Sequence, residues 1–164
     1  MNKIKNAQFW LVILLIAVAI AVVLILYPHS SSPITIGHNN VYHWIGWSGA
    51  LYIAAATLVY YVIRRRYVNS YQNIMKFHIF GNLIAFITVS IHFTHQIGSP
   101  PILGTYTHLG LTMYSALSLQ VITGVLLRFQ FINKLKSVRF IHVALVMTFY
   151  LILIIHILHG LNII

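Results

Sequence analysis

Six of the ten histidines fall into two triplets of identical spacing: His78, His92 and His95, then His142, His156 and His159. Within each triplet the first two stand fourteen residues apart and the third follows three residues later. Fourteen residues of α-helix rise about 21 Å and turn about 1400°, roughly 40° short of four full turns, so the first two share one helix face at two levels. All six lie in apolar runs, where an ionisable side chain is costly and needs a chemical reason. Imidazole is the commonest metal ligand among side chains. Two runs that each offer one imidazole at each of two levels have the donors required for axial ligation of two haem irons. The competing reading is a set of interfacial histidines bonded to headgroups or water.

Composition places this chemistry in a membrane. The chain has 164 residues, is 60% hydrophobic and only 6% charged, and its apolar runs are long enough to cross a bilayer several times. It contains no Asp or Glu and carries a formal charge of +10. That charge does not mark a nucleic-acid surface, because all ten Lys and Arg lie at the ends of apolar spans. With no cysteine, disulfides, thiolate metal sites, iron–sulfur clusters and covalent haem attachment are excluded. Any haem is therefore non-covalent.

Five helices are expected to position the histidines, at 9–27, 42–63, 77–97, 106–127 and 140–161. The first follows Lys3 and Lys5 like a signal peptide, but its apolar part is too long and no A-x-A-like cleavage site follows, so it reads as a retained anchor. Residues 28–40, with Ser30, Ser31, Ser32, Pro33 and Gly37, read as a polar loop carrying His29 and His38. Basic residues occupy the N-terminus and the two–three and four–five connections, while the one–two and three–four loops have none. This is a positive-inside pattern for a multi-pass protein of the cell membrane, with the N-terminus cytoplasmic and the C-terminus outside. Helices three and five then run parallel, with His78 and His142 at the inner level and His92 and His156 in the outer half.

A shift of 64 residues superposes the two triplets and also carries Tyr42 onto Tyr106, Gly46 onto Gly110 and Arg64 onto Arg128. The expected fold is an all-α integral membrane protein. It has five transmembrane helices: a peripheral first helix, with its outer loop at 1–41, and a four-helix haem-binding bundle at 42–164. The bundle has an approximate two-fold repeat, with halves at 42–97 and 106–161. Gly110 and Gly124 on helix four are also fourteen apart, and a missing side chain at each level would let a flat macrocycle approach the backbone; ordinary small-residue helix packing is the competing explanation.

These residues resemble a two-haem b-type cytochrome, and in particular the cytochrome b561 superfamily, across helices two to five. In helix four, Leu119-Gln120-Val121 followed by Leu126-Leu127-Arg128 resembles the L-Q-x and L-L-R stretch of that superfamily's domains that follow DOMON modules. In helix five, Arg139, His142 and the closing Gly160-Leu161-Asn162-Ile163 resemble its ligand histidine and terminal motif. The resemblance implies His78 with His142 for the inner haem and His43 with His108 for the outer one. The chain departs from it at the outer pair, since alignment on Gln120 brings the family histidine nearer Tyr106 than His108. The fourteen-residue spacing is also similar to the cytochrome b of quinol oxidoreductases and to the ferric reductase membrane core, which implies His92 with His156 instead. The quinol-site Pro-Glu motif of the first and the flavin and nicotinamide domains of the second are missing here.

Depth separates the outer alternatives. Counted from the inner basic ends, His92 and His156 lie roughly 24 to 26 Å deep and His43 and His108 roughly 30 to 32 Å, at the interface, so the deeper pair suits a buried macrocycle better. His95 and His159, about one turn further out, are expected to line an outer pocket with His43 and His108, or to build a copper or zinc site there. Inner propionates have Arg64, Arg65, Arg66, Lys76, Arg128 and Arg139 within reach; outer ones must use His, Tyr42, Tyr106, Asn39, Asn40 or backbone. Trp44, Trp47, Tyr60 and Tyr61 read as an aromatic belt. The expected function is transmembrane electron transfer through two haem b groups, exchanged with quinone or with redox protein subunits of a larger respiratory complex. The alternative is a non-catalytic membrane anchor or assembly subunit.

Overall fold

In hydrocarbon an apolar run can satisfy its peptide groups only within itself, which selects helices. A computed structural model describes residues 3–26, 34–36, 39–66, 71–98, 105–131 and 134–160, with the side chains at 3–5, 39, 64, 71–72, 98, 105–107 and 160 outside the description. Six α-helices are present: α1 at Lys3–Leu26, α2 at Val41–Arg66, α3 at Tyr71–Lys76, α4 at Asn82–Gly98, α5 at Thr105–Phe129 and α6 at Leu135–Gly160. A π-helical segment, Phe77–Gly81, joins α3 to α4. Among the described residues five stretches are long and apolar enough to cross a membrane: Asn6–Leu26, Val41–Ile63, Asn73–Ile97, His108–Phe129 and Leu135–His159. Large side chains such as Leu24, Phe77 and Phe140 stand exposed. Apolar helices with this much apolar surface turned outward are suited to lipid.

The helices outrun the expected spans at their basic ends. α1 begins at Lys3 and α6 at Leu135, five residues before the expected 140. Hydropathy marks only the hydrocarbon-crossing part, whereas Lys and Arg are good helix formers and continue the ladder beyond it. The expected loop before α2 contains a short antiparallel ribbon, β1 at Thr35–Ile36 with β2 at Asn39–Asn40, pairing Thr35 with Asn40 and Ile36 with Asn39. His29 and His38 lie outside the described residues. Asn40 caps α2, its Oδ1 accepting from the His43 N–H at 2.9 Å.

The chain divides into two compact units, Met1–Ser99 and Pro100–Ile164. In the first, α4 packs on both α1 and α2. Its Ser90 and Thr94 are fully buried, and their hydroxyls donate to the carbonyls of Phe86 at 2.8 Å and Ser90 at 2.7 Å, so no donor is stranded. In the second unit α5 packs on α6. α5 closes at Gln130, which is left-handed (φ 56°) and donates its N–H to the Leu126 carbonyl at 3.0 Å.

Close approach of α2 to α4 depends on Gly49, where a Cβ would lie 2.9 Å from the Ala85 carbonyl oxygen and would overlap the Thr88 hydroxyl. The carbonyl belongs to a helix and cannot yield. Gly49→Ala is therefore expected to lower stability by about 1–3 kcal/mol in reversible unfolding from mixed micelles. Gly110→Ala, which meets no heavy atom within 4 Å, should cause no loss in the same assay.

Candidate functional site

Each expected ligand pair draws one histidine from each unit, and the histidines of each unit are taken in turn. In the first unit, His92 on α4 has its Nδ1 3.1 Å from the backbone carbonyl of Tyr42. A carbonyl only accepts, so Nδ1 carries the proton in this contact. Its ring is seated against Gly46 of α2: a Cβ there would lie 2.5 to 2.9 Å from His92 Cγ, Cβ and Cδ2. His78 lies in the π segment and stacks on Tyr60 of α2, with centroids 4.5 Å apart and planes 23° apart. Gly46 and Tyr60 are themselves fourteen residues apart on α2, so both imidazoles face the same partner helix. The uninterrupted α spacing expected between His78 and His92 does not hold, because the chain turns less per residue in a π segment. Between His142 and His156 the helix is α throughout.

The Asn82 amide nitrogen lies 3.3 Å from His78 Nδ1, while Asn82 Oδ1 is buried with no hydrogen-bond partner among the described residues. In this orientation the amide donates to Nδ1.

In the second unit, His142 Nδ1 lies 2.9 Å from Thr123 Oγ1. The Thr123 hydroxyl proton is directed at the carbonyls of Leu119 at 2.8 Å and Gln120 at 3.1 Å, so its oxygen receives the imidazole proton. His142 therefore has the same tautomer as His92. Gly124 faces this ring, its missing Cβ 3.5 Å from His142 Cε1, whereas Gly110 faces open space. Under the 64-residue shift, the Gly124–His142 contact corresponds to the Tyr60–His78 contact of the first unit.

The other candidates are distributed as follows. His43, at the start of α2, has its Nδ1 3.0 Å from Asn40 Oδ1, and its ring meets His92 edge-on at 4.9 Å. His95 is buried, 6% exposed, with its ring stacked on Tyr42 at 4.2 Å, so it belongs to a packed contact rather than to an open pocket wall. His108 is exposed on α5, and His156 and His159 are half-buried on α6. Among the basic residues, Arg65 holds its guanidinium 4.5 Å from the Tyr61 ring centre, Arg128 is half-buried at the end of α5, and Arg139 is exposed on α6. The side chains of Arg64, Tyr106 and Asn39, and all of residues 161–164, lie outside the described residues. Among the described residues no group of three or more His, Cys, Asp or Glu side chains stands together.

Three of these orienting groups escape sequence reasoning. A backbone carbonyl, that of Tyr42, leaves no trace in residue identity, and neither Thr123 nor Asn82 is marked by spacing. The 15N shifts of histidine-labelled protein test the assignment. His92 and His142 are expected to show a protonated Nδ1 and an unprotonated Nε2, and Thr123→Val should release His142 alone into a tautomer mixture. Comparison with protein-family models, curated proteins and solved structures finds no match to this chain.

Proposed function

We propose that the chain is a di-haem b-type membrane cytochrome, resembling the cytochrome b561 superfamily, that passes single electrons across a bilayer as a subunit or partner of a respiratory or redox complex. The observation that carries this reading is the hydrogen bonding of His92 and His142, each ring oriented through Nδ1 by a neutral group, the Tyr42 carbonyl at 3.1 Å and the Thr123 hydroxyl at 2.9 Å. His78 and His142 would hold the inner haem, His92 and His156 the outer. His43, in edge contact with His92, is then a neighbour of the outer ligand, and His43 with His108 remains the competing pair. Gly46 and Gly124 supply room for the imidazoles, and Gly110 faces the open space that a flat ligand needs. The corresponding contacts at His78 and His142 support the two-fold repeat.

When bound, two b haems would supply one-electron iron couples. The chain's own residues set the rest of the behaviour. His78 with His142 and His92 with His156 would each hold one haem. Electrons must enter and leave through docked carriers, either quinone or redox protein subunits. Arg64, Arg128 and Arg139, with the neighbouring basic residues, offer cations to the inner propionates. Because the chain has no Asp or Glu, it lacks the carboxylates on which intramembrane proton relays commonly rely, and electron transfer without proton pumping follows. In this reading the N-terminus is cytoplasmic and the C-terminus outside.

Haem content and reduced spectra test the proposal. The purified chain is expected to hold about two haems and to show sharp low-spin b-type bands on reduction with dithionite. His142→Ala should remove one haem and His92→Ala the other, while His43→Ala keeps both. Loss on His43→Ala but not on His92→Ala would move the outer site to His43 and His108. A featureless spectrum would leave only the anchor or assembly reading.

A further inference from the structure

Away from the histidines, an open groove of about 730 Å³ runs along the first unit between α2 and the rod formed by α3, the π segment and α4. One end carries Asn73 and Lys76; its walls include Phe77, Phe80 and Ile84, and it reaches Thr88. Lys76, Phe77 and Ile84 are all exposed, so the groove opens outward from this unit. From Lys76 to Thr88 the rod rises about 18 Å, close to the roughly 15 Å depth of one leaflet's hydrocarbon.

The charge at the groove's end determines what fits it. The sequence holds ten Lys and Arg and no Asp or Glu, so no side chain of the protein can neutralise Lys76. The exposed Arg65 and Arg66 close α2, at the end that leads on to α3 and Lys76, and add to the positive charge of that connection. The ligand must therefore bring an anion to the interface and an extended apolar chain to the wall behind it. A quinone has no anionic head, and a zwitterionic lipid brings no net charge.

We propose that this groove binds one anionic phospholipid from the leaflet at its basic end, the phosphate paired with Lys76 and an acyl chain laid along Phe80 and Ile84 toward Thr88. The site does not depend on haem.

Native mass spectrometry of the full chain in detergent, titrated separately with dioleoylphosphatidylglycerol and dioleoylphosphatidylcholine, tests it. Wild type is expected to retain one phosphatidylglycerol with about fivefold preference over phosphatidylcholine, the scale of one lysine near a charged headgroup. Lys76→Gln should erase that preference and Lys76→Arg should keep it. Ile84→Trp, which fills the groove at an exposed position, should weaken retention of the anionic lipid. Equal retention of both lipids by wild type, or an unchanged preference in Lys76→Gln, would overturn the proposal. So would displacement of the bound lipid by a short-chain isoprenoid quinone equally well in wild type and Lys76→Gln. If Ile84→Trp folds poorly, the two Lys76 variants decide the matter alone.

Discussion

With no carboxylate on any side chain, the imidazoles in the apolar spans must be oriented by neutral acceptors, and much of the local structure follows from that constraint. His92 uses a backbone carbonyl, His142 a threonine hydroxyl and His43 the cap asparagine, with the Gln96 amide nitrogen also 3.3 Å from His43 Nδ1, while His78 meets the amide nitrogen of Asn82, a neutral donor. A histidine that ligates metal commonly gives its other N–H to a carboxylate, which makes the ring more basic. Neutral acceptors fix the tautomer and the ring plane without adding a buried negative charge, which would be expensive here. The chain thus carries an orienting network without an ionised group among the acceptors.

Packing reinforces the same placement. α2 works as a template: Gly46 vacates space for the His92 ring, and one helix length away Tyr60 covers His78 with its face. In the second unit Gly124 stands where Tyr60 stands in the first, and Thr123 beside it takes over the polar role. The surroundings of His78 and His142 are thus built from different residues. Gly49 and Gly81 set how closely α2 can approach the neighbouring rod, and the Tyr52 hydroxyl, donating to the Phe77 carbonyl at 3.4 Å, ties α2 to the π segment that holds His78.

Five helices long and apolar enough to cross a membrane were legible in the sequence because hydropathy is a property of residue type. The local deviations were not. The π segment at Phe77–Gly81 depends on a tertiary contact near Tyr52 and Gly81, and the ribbon at Thr35–Asn40 on pairings of backbone groups, neither of which has a periodic signature. His95 shows the limit of spacing arguments: its position three residues after His92 repeats at His159, yet its burial under Tyr42 is decided by the partner helix. The same limit explains why His43 and His92 were weighed as rivals from sequence, when they stand edge to edge in one unit.

The central claim is conduction of electrons across the membrane, and proteoliposomes that enclose ferricyanide test it most directly. With an impermeant reductant outside, vesicles containing the wild-type chain are expected to lose the ferricyanide absorbance, and vesicles containing His142→Ala or His92→Ala to keep it. Retention of ferricyanide by wild-type vesicles whose protein carries both haems would contradict the account.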